Sequence, residues 1–384
     1  MNNSISSAIQ ELNKSPIFAL SLGGKELSHS NFWKWLIDLE IGGKHPFIEV
    51  FMPEFDDNGF KFEEVKREEG NRDISIHFND NEEKKKCFVI ENKLKSIPTK
   101  KQLLDYQNNL EKEEFGGGLL TGLQETMGSL PDEKWEFRDY DDIANAIEDI
   151  NDNKYQEGEY YNYIKDYVEN IRNISKVIKD RIEEHNDFYV WEDKELDEIR
   201  LADIYLKHQA EIFRKVIKKS TDNNRYKTEW GNPFVYTSFN NKKPTITVIY
   251  QEVDPKKRSD EDNFEVEIGR IGVQIEGNQF RIYAGPSKEG NKGFKFEKLR
   301  DLGWFEDFDH KKSKTIDSKS TSMKGGRKDK RFCQYQTLDY KHMYQYWDIE
   351  RETKYEDLIK EILKKLDAAK KIIDDEGLSF KQEA

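Results

Sequence analysis

The first third of the chain alternates between a helical and a strand period. Residues 25–39, KELSHSNFWKWLIDL, place Glu26, His29, Ser30 and Trp33 at helical spacing on one face. Residues 61–67, KFEEVKR, suit a short strand. In 73–78, DISIHF, Ile74, Ile76 and Phe78 fall on one side of a second strand. The polar run NDNEEKKK at 79–86 predicts a turn, and CFVIENK at 87–93 predicts a third strand. Pro98 opens a helical pattern over 99–112, and GGGLLTGL at 116–123 predicts one more strand. Helical patterns follow at 140–150, 159–184 and 195–218. Near 230 the period changes again. Residues 233–239, 245–253, 263–276 and 279–285 are rich in Val, Ile, Phe and Tyr with polar alternation, and Gly277-Asn278 is suited to turn a hairpin. A closing helix is expected over about 355–374.

The order of the first third is therefore α-β-β-β-α-β, an α/β core with a small mixed sheet beside helices. A helical extension follows it, then a C-terminal antiparallel β-rich domain. The boundary is placed in the polar stretch near 220–230, which divides the chain into 1–220 and 225–384.

Composition narrows the class. The 384 residues suffice for two domains. Charged residues make up 36%, but aromatics still make up 12%, which favours packed cores over disorder. No apolar run approaches the ~18–20 residues that span a bilayer, so no membrane partner is expected. The opening MNNSISSAIQ lacks a basic region followed by an apolar one. Cys87 and Cys333 form neither a disulfide framework nor a CxxC site, and a reducing cytoplasm is the expected location. The net charge of −13 disfavours indiscriminate binding of nucleic acid. Residues 310–331, however, hold nine Lys/Arg and two Asp, and a local basic loop of this kind can meet phosphate. A solvated loop is the other reading.

The candidate chemistry lies at the end of an apolar strand. Val89-Ile90 runs into Glu91-Asn92-Lys93, where burying charge is costly. A turn centred at 82 sets opposing residues at a constant index sum, pairing Asp73 with Glu91 and His77 with Cys87. Directly opposed Cβ atoms lie ~4.5–5.5 Å apart. Glu91 and Lys93 share one strand face, while Asn92 points to the other with its carbonyl at the edge. Two carboxylates so placed repel unless a cation lies between them. Oxygen ligands of this kind suit Mg2+ or Mn2+, which can activate a water and offset charge on a phosphoryl group, with a lysine beside them to orient the water. The alternative is a structural ion pair in which Lys93 neutralises both acids. His29 and His45 could be metal ligands or polar packing. Trp33 and Trp35 could be core or could stack on bases. Tyr236, Tyr250 and Tyr283 could stack on bases if exposed. His77 with Cys87 lacks the four ligands of a structural zinc site. There is no phosphate-binding GxxxxGK[ST] loop.

This order of elements, with Glu26 on the first helix, Asp73 and Glu91-Asn92-Lys93 on strands, and Gln102-Leu-Leu-Asp-Tyr106 on the next helix, resembles the PD-(D/E)XK nuclease superfamily, whose fold is restriction-endonuclease-like. The Gln102 and Tyr106 helix is similar to that of the RecB-like branch. ELSHSNFWKWLID, RDISI and IENK leading into QLLDY resemble a bacterial group of uncharacterised nuclease-like proteins. The resemblance covers about residues 20–125 well and reaches about 215 loosely. It implies that Asp73 and Glu91 hold Mg2+ or Mn2+ with help from the Asn92 carbonyl, and that Glu26 completes the metal shell. It implies that Lys93 is the catalytic lysine, with Gln102 and Tyr106 bordering the site. Arg72-Asp73 stands where the family motif has Pro-Asp. The implied activity is metal-dependent hydrolysis of phosphodiester bonds, in DNA rather than RNA, in defence or repair. The alternative is a catalytically silent nuclease fold that binds nucleic acid or a protein partner. Either could belong to an oligomer.

Overall fold

A computed structural model describes residues 3–21, 26–53, 55–56, 58–94, 100–110, 114–123, 130–228, 231–240, 243–251, 270–285, 302–305, 316–317, 333–336, 341–351 and 353–375. The chain forms two compact units. One holds residues 1–184 and 194–205, and the other holds 185–193 and 206–384. The basic stretch 310–331 lies outside the described residues, apart from the backbone of 316–317.

The first unit opens with helices α1 (Asn3–Lys14), α2 (Pro16–Ser21) and α3 (Glu26–Asp38). Strands β1 (Lys61–Arg67), β2 (Ile74–Asn79) and β3 (Lys85–Lys93) follow, then α4 (Lys100–Asn108) and strands β4 (Glu114–Gly122) and β5 (Trp135–Asp139). Helices α5 (Tyr140–Lys154), α6 (Tyr161–Glu184), α7 (Lys194–Glu198) and α8 (Ala202–Thr221) come next, and α8 passes into the second unit at Leu206. The five strands pair in the order β1-β2-β3-β4-β5. The first two pairings are antiparallel, and β3/β4 and β4/β5 are parallel. The αβββαβ order expected from the sequence is present, extended by β5 and preceded by α1 and α2, which the pattern reading did not find.

Each face of this sheet has its own cover. Cys87 and Val89 of β3, Leu120 of β4 and Trp135 of β5 form one buried cluster with Leu103 and Tyr106 of α4. Close approach within the cluster requires glycine in β4. A Cβ on Gly118 would lie 2.5 Å from a Trp135 ring carbon. On the opposite face β3 meets α3 through Asn92, described below. Helix α5 starts with a capping box, in which Asp139 accepts from the Asp142 N–H and the Asp142 carboxylate accepts from the Asp139 N–H. Lys179 of α6 then ties down Asp139 and Asp141, at 2.8 and 2.6 Å.

In the second unit, β6 (Phe234–Asn240), β7 (Lys243–Gln251), β8 (Arg270–Glu276) and β9 (Gln279–Gly285) form an antiparallel meander. It continues through β12 (Lys341–Ile349) to β10 (Ile316–Asp317), while β11 (Cys333–Gln336) also pairs with β12. Glu276 pairs with Gln279 around a two-residue turn, and Gly277 there has φ +57°, a left-handed conformation that suits glycine. The expected strand 263–276 is observed as 270–276, since 252–269 lie outside the described residues. Helix α9 (Tyr355–Asp375) lays Leu358, Ile362, Leu366, Ala369 and Ile373 at helical spacing into the core formed by this sheet. Tyr250 and Tyr283 are buried and Tyr236 is exposed, so only the last of these is open to a ligand.

Gly118→Ala is expected to destabilise the first unit by about 1–3 kcal/mol through overpacking against Trp135. Urea denaturation followed by tryptophan fluorescence checks this, with wild-type stability as the contradicting result.

Candidate active site

The register of β2 and β3 builds the site. Ile74 pairs with Ile90 and His77 with Cys87, at the index sum that the polar turn predicts. Asp73 stands one residue before β2, at the position facing Glu91. Its Oδ2 accepts from the Asn92 backbone N–H at 2.9 Å. Arg67 of β1 donates to the Asp73 carbonyl at 3.3 Å and holds the chain there. Arg72, in the place of the family proline, is buried and donates to Ser75 Oγ at 3.1 Å.

Glu91 is 1% exposed. Lys93 Nζ lies 2.6 Å from Glu91 Oε1, as the shared strand face predicts. Gln102 Nε2 donates to the same oxygen at 2.9 Å and to the Tyr106 hydroxyl at 2.6 Å. These two residues sit one turn apart on α4, so the helix aims both at the strand end. The Tyr106 hydroxyl donates to the Asn71 carbonyl at 2.9 Å, with Glu91 Oε1 farther off at 3.3 Å. The side-chain contacts of the Glu91 carboxylate thus fall on Oε1, and the Asp73 backbone N–H also acts on the carboxylate. Oε2 is buried and has no hydrogen-bond partner.

Asn92 faces the other way and is fully buried. Its Nδ2 donates to the Glu26 carbonyl at 3.1 Å and to Ser30 Oγ at 3.0 Å, both on α3. Its Oδ1 accepts from the Tyr140 hydroxyl at the start of α5. The single residue therefore secures α3 and α5 through its side chain and Asp73 through its backbone. That side-chain role, and those of Arg67, Ser30 and Tyr140, were missed in the sequence. A buried asparagine in a strand is a signal in retrospect, because an unpaired amide is costly in a core.

The electrostatics reflect crowding of acids. Burial, then the charge of Asp73, push the Glu91 carboxyl up to about 7, against the pull of Lys93. Burial also raises Asp73, with Glu26 adding to the rise. Burial works against the Lys93 charge, yet Glu91, Asp73 and Glu26 hold its pKa above the ordinary lysine value. Glu26 is thus close enough to be felt, but the side chains do not gather into a three-carboxylate set. Among the described residues no three His, Cys, Asp or Glu form a ready metal-binding group. The donor set for a cation is two acids with an orphaned buried oxygen, and oxygen ligands of this type fit a hard divalent ion that retains waters.

The other candidates have packing partners. His29 is buried, with Nδ1 3.0 Å from the Tyr167 hydroxyl. His45 Nδ1 lies 3.2 Å from the Ile37 carbonyl. His77 Nε2 lies 2.9 Å from Glu69. Trp33 is in the core, whereas Trp35 lines a cleft.

Residues 17–191 match the family model of the PD-(D/E)XK nuclease superfamily. This segment, which contains the whole five-stranded sheet, is similar to that superfamily. Its members are in general nucleases that use divalent metals and act on nucleic acid. Comparison with curated proteins and with solved structures gave no match. No helix among the described residues is long and apolar enough to cross a membrane.

The raised Glu91 pKa predicts a stability change with pH. In the unfolded chain this carboxyl loses its proton near 4.5, and in the folded one near about 7. Between those values the folded state binds more protons, so stability falls as pH rises through the window. The contribution is present below 4.5, is lost above about 7, and is on the order of 3 kcal/mol at most. Urea midpoints in chelator at about pH 5 and pH 8 are expected to converge less for wild type than for Glu91→Gln, which lacks this titration. Equal pH dependence of the two proteins would contradict the assignment.

Proposed function

We propose that the chain is a divalent-metal-dependent nuclease that hydrolyses phosphodiester bonds, with DNA as its substrate. The observation that carries this reading is the lopsided Glu91 carboxylate. A structural ion pair needs no second oxygen left buried without a donor, and an unsatisfied buried acceptor costs stability. A cation shared by Glu91 and Asp73 would satisfy that oxygen and offset the burial and the Asp73 charge that raise Glu91.

In this reading Asp73 and Glu91 hold a Mg2+ or Mn2+ ion, with the Asn92 carbonyl as a further oxygen at the strand end. Bound there, the ion supplies positive charge against the phosphate and eases deprotonation of water. Lys93 stays protonated, as its raised pKa requires, and donates to the attacking water or the developing phosphoryl charge. Gln102 and Tyr106 hold one oxygen of the Glu91 carboxylate in place. Glu26 adds negative charge that would favour a cation. We place the protein in the cytoplasm, in a defence or repair role.

Purified protein with supercoiled plasmid and linear DNA is expected to cleave in Mg2+ or Mn2+ and to stop in chelator. Asp73→Ala and Lys93→Ala are each expected to lower the rate by about 100-fold or more. Circular dichroism separates this loss from misfolding. Absence of cleavage by the wild type on DNA and RNA alike, with unchanged thermal stability on adding metal, would leave the silent binding fold as the better reading.

A further inference from the structure

A cleft of about 610 Å³ lies in the first unit between α3 and α6, away from the Glu91 strand end. That volume is within the roughly 300–1,000 Å³ of small-molecule sites. Phe32, Trp35, Tyr160, Tyr163 and Tyr167 line it. Tyr163 is 46% exposed and Tyr160 38%, unusually open for large rings. Both meet Trp35 at 84°, edge to face, with centroids 6.1 and 5.4 Å apart, whereas Phe32 and Tyr167 stack on each other at 3.7 Å, so the rings open to a ligand are those of Tyr160 and Tyr163. Among the described residues, no Lys, Arg, Asp or Glu lines the cleft.

Asn170 also lines it. It is 1% exposed, and neither its Oδ1 nor its Nδ2 makes a hydrogen bond. A buried amide with both ends unpaired is expensive for a fold to keep. An amide offers a donor and an acceptor side by side, the pattern that pairs with the edge of adenine. Flat rings beside such an amide, without cations for phosphate, suit a heteroaromatic base rather than the backbone that carries it.

One further contact links the cleft to the acids. Asn31, on the cleft wall, accepts from Arg67, whose Nε donates to the Asp73 carbonyl. A ligand in the cleft is therefore linked through two side chains, Asn31 and Arg67, to the residue that faces Glu91.

We propose that this cleft captures a single unpaired base of a nucleic-acid strand, adenine in preference, and so positions the strand relative to Asp73. The proposal deepens the nuclease reading in naming its substrate as unpaired where it is gripped, but the binding itself does not depend on cleavage.

The test uses the full chain in chelator, so that nothing is cut. Tryptophan fluorescence follows titration with a short oligodeoxyadenylate, an oligodeoxythymidylate and an abasic strand of equal length. The expected order is adenine tightest and abasic weakest. Tyr163→Ala, at an exposed position that tolerates truncation, is expected to weaken the adenine strand about tenfold, in line with loss of one stacking ring. Asn170→Leu is expected to abolish the adenine preference. Equal binding of the abasic strand, or affinity unchanged in Tyr163→Ala, overturns the proposal and leaves the cleft to an apolar protein segment. Base-dependent binding without any metal-dependent cleavage by wild type would keep the cleft and discard the nuclease reading.

Discussion

Neighbouring residues of a strand must face opposite ways, and this one constraint organises the first unit. Glu91 and Lys93 turn towards α4, and Asn92 between them turns towards α3 and α5. The acid is thereby held by a residue that never touches its carboxylate. Asn92 ties the two helices to the strand through its side chain, and its N–H fixes Asp73 across the hairpin. Moving the register by one residue would exchange the two faces and send the charged pair into the packing of α3. Fold and site are thus specified by the same pairing.

Burial gives the site its chemistry. In water, a lysine 2.6 Å from a glutamate would keep that glutamate ionised far below neutrality. Here the loss of solvent and the nearby Asp73 outweigh the lysine, and Glu91 is poised near neutral pH. Its hydrogen bonds are concentrated on one oxygen by two α4 residues a turn apart. The other oxygen is left as an acceptor in need of positive charge. A centre of this sort is expensive to maintain by itself, and a bound cation would offset that cost.

Much of this was legible in the sequence because it is local. The hairpin register followed from a polar turn centred at residue 82, and the α4 contacts followed from i, i+4 spacing. Helix α1 was missed, although Ile5, Ala8, Ile9 and Leu12 fall at helical spacing and are all buried, because its short polar-rich sequence hid it among Ser and Asn. Strand β5 has only five residues and is fixed by Trp135 packing on Gly118, a contact between distant positions. The fates of Tyr236, Tyr250 and Tyr283 depend on which sheet face the closing helix covers, and strand alternation cannot say that. The contact of Arg67 with Asn31 and those of the Asn92 amide are likewise set by partners more than twenty residues away.

The most direct test of the central claim is a calorimetric titration of Mn2+ into the chelator-stripped protein at pH 7, repeated in buffers of different ionisation enthalpy. The account predicts one ion bound with release of a fraction of a proton, as Glu91 gives up its raised pKa, and loss of both signals in Asp73→Asn and Glu91→Gln. No binding, or binding unchanged in both variants, would show that Asp73 and Glu91 do not form a metal centre and that Glu91 and Lys93 are a structural ion pair.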